Sequence, residues 1–229
     1  IVDPRGRFVW CQNYHARNLN LFLIDQVTGE LSPAGDLSFF TRRPTDMVLD
    51  DTGDHLYVSF EETSEIQRFR IDGNGTTGFD LVWGTRTTTG GLPNSLAIGP
   101  AGTFLTVTCA GSNELRAYAV NREDGELALA SIQELDFEPH GVTMDQSGSY
   151  AYVSYSGEHE ISSLRINPSN GSLTRTSEIR TRPGLNCLTI LNASSPLAAV
   201  ALNLYSVNEQ SEDLSAFDVD PISGALTSI

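Results

Sequence analysis

The chain has 229 residues, 39% of them hydrophobic, enough to bury one large core or two small ones. A net charge of -15 and a pI of about 4.5 argue against nucleic acid or an anionic membrane surface as partner. No run approaches the roughly eighteen apolar residues of a membrane-spanning helix, and no leader pattern precedes Phe8, so the compartment stays open.

Self-similarity organises the chain. The turns Asp3-Pro4-Arg5-Gly6, Asp50-Asp51-Thr52-Gly53, Gly99-Pro100-Ala101-Gly102, Asp145-Gln146-Ser147-Gly148 and a degenerate Leu191-Asn192-Ala193-Ser194 recur at steps of 47, 49, 46 and 46 residues. Such a period fits a unit of four short strands. In chain order, the first repeat (roughly 1–40) predicts strands over Phe8–Cys11 and Leu19–Asp25. The second (41–90) predicts Thr45–Leu49, Leu56–Phe60 and Glu65–Asp72, and the third (91–136) Ser95–Ile98, Phe104–Cys109, Glu114–Asn121 and a strand within 125–135. The fourth (137–182) predicts Gly141–Met144, Tyr150–Tyr155 and Glu160–Asn167. The fifth (183–229) predicts Cys187–Ile190, Leu197–Leu202 and Asp213–Asp220. The runs are rich in β-branched and aromatic residues, and the third strand of each unit leads into a glycine turn, as at Thr28-Gly29, Asp124-Gly125 and Asn170-Gly171. The 3.6-residue period of a helix is absent.

The expected fold is therefore all-β: a single β-propeller over 1–229, built of four-stranded antiparallel blades, about five of them present. Strands a to d run from the axis outward. Radial packing buries both faces of a and b, which are almost uniformly apolar, whereas c alternates. Ile1-Val2-Asp3 aligns with Val48-Leu49-Asp50, so the chain is expected to begin inside a strand a and to be part of a seven-bladed ring. Further blades or a partner chain would then cover the apolar faces of the first and last repeats. The three cysteines, Cys11, Cys109 and Cys187, fall in different repeats and are expected to be buried free thiols.

Alternating strand direction places the d-to-a and b-to-c connections on one face of the disc, and that face carries most of the chemically capable residues. His140 stands just ahead of a strand a, where an imidazole can serve as general base or polarise a carbonyl. Arg43 and Arg182 hold comparable positions and suit a carboxylate or phosphate, while Glu138 supplies a carboxylate beside them. These four are the candidate catalytic residues. Asn94, Asn186 and Glu62 are candidate substrate-binding residues. No loop has the spacing of a calcium site and no nucleophile elbow precedes a helix, so neither a metal, another cofactor nor a serine-hydrolase triad is expected.

The segment PHGVTMDQSGSYAYVSY (139–155), together with Asp25-Gln26-Val27-Thr28-Gly29-Glu30-Leu31 and its echoes at Asn121–Leu127 and Asn167–Leu173, resembles the lactonase-type seven-bladed β-propellers. That group includes 6-phosphogluconolactonases of the cycloisomerase-2 type and fungal carboxy-muconate cyclases. The resemblance implies a small lactone or sugar acid as partner, opened or formed by His, Arg and Glu on the axial face. By motif it carries over His140 in its Pro-His-Gly setting; Arg43, Arg182 and Glu138 rest on the repeat alignment. The alternative is a non-catalytic surface propeller that binds a protein or glycan with the same face.

Overall fold

The structure, a computed structural model, describes all residues except 40, 73–79, 156, 183–184, 192–201 and 209–212. It contains five antiparallel sheets in consecutive order. The first has three strands, β1 (Phe8–Asn13), β2 (Asn18–Ile24) and β3 (Leu31–Ser38). The second runs β4 (Pro44–Leu49), β5 (His55–Phe60), β6 (Glu65–Asp72), β7 (Asp80–Thr88). The third runs β8 (Pro93–Ile98), β9 (Phe104–Cys109), β10 (Glu114–Val120), β11 (Leu127–Glu134). The fourth is β12 (Gly141–Met144), β13 (Tyr150–Tyr155), β14 (Glu160–Ile166), β15 (Leu173–Arg180). The fifth is β16 (Leu185–Leu191), β17 (Leu202–Asn208), β18 (Asp213–Val219), β19 (Leu226–Ser228). Val2 bridges Val9 and Asp3 N–H donates to Phe8 O, so residues 1–3 lie along β1 where the last residues of the inner strand lie in the other sheets.

Each interface between sheets has its own core. Phe8, Trp10 and Leu21 of the first sheet meet Met47, Val58 and Phe60 of the second. Tyr57 and Ile66 meet Leu105, Val107 and Tyr118; Leu115 and Phe104 meet Val153 and Leu164; Tyr152 and Ile161 meet Leu204 and Phe217. Successive residues of one strand thus face opposite neighbours, Tyr57 toward the third sheet and Val58 toward the first. This is why β5, β9 and β13 are buried at every position. Each fully buried Val, Leu or Phe side chain among them contributes about 1.5–3 kcal/mol.

The two kinds of turn have separate physical causes. In the a-to-b turn an aspartate accepts from the backbone beyond it: Asp145 Oδ1 from Ser149 N and Tyr150 N (both 2.9 Å), Asp50 Oδ1 from Asp54 N (2.9 Å). Asp3 does the same and is also clasped by Arg7 through Nε and Nη2, both at 2.8 Å. In the c-to-d turn the glycine has positive φ, as at Gly171 (+71°), and its amide donates to Asn167 O (2.8 Å). A second constraint acts there: a Cβ on Gly171 would meet Phe104 of the preceding sheet at 2.6 Å, and Gly125 and Gly224 stand in the same relation to His55 and Tyr150. The repeated glycine makes room for the neighbouring blade as well as for the backbone.

The expected strand Leu197–Leu202 lies outside the described residues except at Leu202; the described second strand of the fifth sheet is Leu202–Asn208, with Leu204 paired to both Ile190 and Phe217. The expected burial of the cysteines is corrected. Cys11 is exposed while Cys109 is buried, because Cys11 alternates with Trp10 onto the face of β1 away from the second sheet; the side chain of Cys187 is outside the described residues. Among the described residues no helix is long and apolar enough to cross a membrane.

Gly171→Ala is expected to destabilise by about 2–4 kcal/mol, the left-handed conformation and overpacking adding together. Gly29→Ala, with positive φ but open space around the added Cβ, should lose only about 1–2 kcal/mol. Urea midpoints of the two variants measure the difference, which is the blade-to-blade part. Burial acts to raise the Asp3 carboxyl, but the Arg7 hydrogen bonds outweigh it and hold the carboxyl below its usual range. Its folded pKa is the lower one, so its contribution is full above the ordinary value of about 4 and is lost as pH falls below it. Urea midpoints should therefore drop on acidification, and less steeply in Asp3→Asn.

Candidate functional site

The innermost strands β4, β8, β12 and β16 run side by side around the axis. At the end of each, one repeat position recurs: Thr45, Asn94, His140 and Asn186, each five residues ahead of the turn-opening residue Asp50, Gly99, Asp145 or Leu191. The register shifts between Pro44 and Asp46, Pro93 and Ser95, and Leu185 and Cys187, leaving Thr45, Asn94 and Asn186 as bulge residues. A bulge re-aims its side chain out of the sheet's alternation. A cavity of about 330 Å³ opens there, lined by Thr45, Asn94, Ser95, His140, Gly141, Val142 and Leu188.

Most polar groups in this lining are tied to the next blade. Thr45 Oγ1 donates to Pro93 O (2.8 Å), and Asn94 Nδ2 donates to Pro139 O (2.8 Å) and His140 O (3.0 Å). Asp46 carries a second tier: its Oδ2 accepts from Leu96 N (2.7 Å) and Ser95 Oγ (3.1 Å), and Ser95 Oγ accepts from Val142 N (3.3 Å). Burial pushes the Asp46 carboxyl up, against these hydrogen bonds. Asp46 is thus an inter-blade strut. His140 is the titratable side chain of the lining; its own N–H is held by Ser154 O at 2.7 Å.

Arg43, Glu62, Glu138 and Arg182 are not part of this lining. Arg43 and Glu62 come together, through Arg43 N to Glu62 Oε2 (2.8 Å) and Nε to Oε1 (3.5 Å). The Arg43 guanidinium also lies 5.3 Å over the Tyr14 ring and 3.9 Å from Glu61, to which the Tyr14 hydroxyl donates. Glu138 and Arg182 are exposed, one on each side of the fourth sheet in sequence. Of Asn186 only the backbone, in β16, is described. Thr45, Ser95 and Leu188 were not singled out from sequence, although Thr45 was available as the aligned partner of His140. Among the described residues no three His, Cys, Asp or Glu side chains gather as metal donors.

This architecture and the sequence agree on a class. Residues 1–78 and 83–190 match the family described as Lactonase, 7-bladed beta-propeller, and the chain belongs to that family. No curated protein matches it by sequence. Among solved structures, a Lactobacillus plantarum protein superposes with a TM-score of 0.82 at 17% identity, covering 100% of this chain and 68% of its own. A Bacteroides fragilis protein described as a candidate 6-phosphogluconolactonase gives 0.82 at 20% identity, with 98% and 67% coverage. The periplasmic gluconolactonase of Pseudomonas aeruginosa gives 0.77 at 17% identity, with 100% and 68%. At these identities the likeness concerns the fold.

Asp46→Ala should lower stability by about 1–3 kcal/mol, since Leu96 N–H and Ser95 lose their shared acceptor. Calorimetric melting of the variant measures it.

Proposed function

We propose that the axial cavity binds a small sugar-acid or muconate-type lactone and that His140 moves the proton in its opening or formation. The observation that carries this reading is the lining itself: Thr45, Asn94 and Ser95 commit donors to neighbouring blades, and His140 is the group in it suited to proton transfer. Membership of the lactonase family supports the same chemistry. In hydrolysis, the imidazole takes a proton from water as the water oxygen adds to the lactone carbonyl carbon. Collapse of the tetrahedral adduct breaks the ring C–O bond, and the departing alkoxide oxygen receives a proton. Arg43 and Arg182 would hold the substrate's anionic group, with Arg43 exchanging its Glu62 partner for the ligand, and Glu138 would add a carboxylate at the rim.

In the full-length protein, His140→Ala is expected to lower kcat/KM for opening 6-phosphogluconolactone or gluconolactone by about 10²–10⁴-fold. Acid release followed at constant pH measures it, and unchanged turnover would remove His140 from the mechanism. Arg43→Ala should raise KM for the phosphorylated lactone more than for the neutral one.

A further inference from the structure

From the hydrogen bonds across the third and fourth blades we infer that Asn94, backed by Thr108, is a positioning residue for His140 rather than a substrate ligand. The inference rests on the reading of His140 given above. The Asn94 amide is engaged at both ends: Nδ2 donates to both Pro139 O and His140 O, and Oδ1 accepts from Thr108 Oγ1 at 2.7 Å. Its orientation is not arbitrary, since two carbonyl oxygens accept only and must face the NH₂ end. Thr108 is buried in β9 at 0% exposure, and its hydroxyl reaches both Asn94 Oδ1 and Ser95 O (3.3 Å), so the amide is held from behind by a rigid inner strand.

The consequence falls on His140. The peptide planes on both sides of its Cα are pinned, the preceding one by Asn94 at Pro139 O and by Ser154 O at the His140 N–H, the following one by Asn94 at His140 O. With both planes fixed, the direction of the Cα–Cβ bond is fixed, and with it where the imidazole enters the cavity. Blade two uses the same repeat position for the same reach, Thr45 to Pro93 O, but there the hydroxyl makes one bond to the next blade where the amide makes two. The amide at position 94 is therefore matched to the segment that carries the imidazole, just ahead of β12.

The full-length protein with Asn94→Ala, Thr108→Val or Thr108→Ser tests this. Asn94→Ala should lower kcat for lactone opening about 10–100-fold, the scale of an ångström-sized misplacement, while KM changes less than about twofold because no substrate contact is lost. Thr108→Val should reduce kcat by a smaller factor and Thr108→Ser should restore it. Imidazole ¹H–¹⁵N spectra give a readout independent of turnover. Asn94→Ala should shift the His140 ring signals. Should His140→Ala leave lactone opening intact, the catalytic reading fails and these spectra still decide the positioning role. Unmoved His140 signals in Asn94→Ala, or a rise in KM at constant kcat, would overturn it. If Asn94→Ala does not fold, the His140 signals of Thr108→Val decide in the same way.

Discussion

Side-chain donors that cross from one blade to backbone carbonyls of the next hold the centre of this molecule together. Gln12 reaches Thr45 O, Thr45 reaches Pro93 O, and Asn94 reaches Pro139 O and His140 O. An inner strand of a propeller pairs on one edge only, so its other edge would leave carbonyls and amides facing the axis without partners, a cost of about 1–3 kcal/mol for each one buried. The belt satisfies several of these groups and at the same time sets the spacing of adjacent strands around the cavity.

Outward from the axis the same problem is solved with apolar surface. Every blade interface has its own cluster, and alternate residues of a b strand serve different clusters, so no single core exists to be disrupted as a whole. The aspartate and glycine turns keep adjacent sheets close enough for this packing. Asp50 and Asp145 close the inner hairpins, and Gly125, Gly171 and Gly224 leave room for His55, Phe104 and Tyr150 of the preceding blade. Stability and site geometry are consequently linked through the inner strands, which contribute both to the interface clusters and to the cavity wall.

The chemical asymmetry of the molecule follows from where the repeat departs from itself. Thr45 and Asn94 occupy the same position as His140, and both serve the scaffold. Arg43, read as an anion-binding group, rests against Glu61, Glu62 and the Tyr14 ring. A residue's chemical capacity and its actual partners are different quantities, and on this face the partners were set by which loops the blade packing brings together.

Sequence alone determined the all-β class, the repeat period, most strands of the inner three positions and the two turn types. Those depend on local pattern: alternation, apolar runs and the conformational needs of aspartate and glycine. His140 stands out in the sequence for the same reason, as an ionisable residue at a position its repeat mates fill with neutral ones. The tertiary structure decided what local pattern does not encode. It set the pairing of the fifth sheet's second strand, Leu202–Asn208, which is less uniformly apolar than the run before it, and the exposure of Cys11, which sits on the face of β1 away from the second sheet. It also set the partners of Asn94, whose amide donates to carbonyls 45 and 46 residues away on the next blade. Hydrogen bonds over such separations leave no periodic trace in the chain, because each is specified by how two blades pack and not by either blade's own sequence.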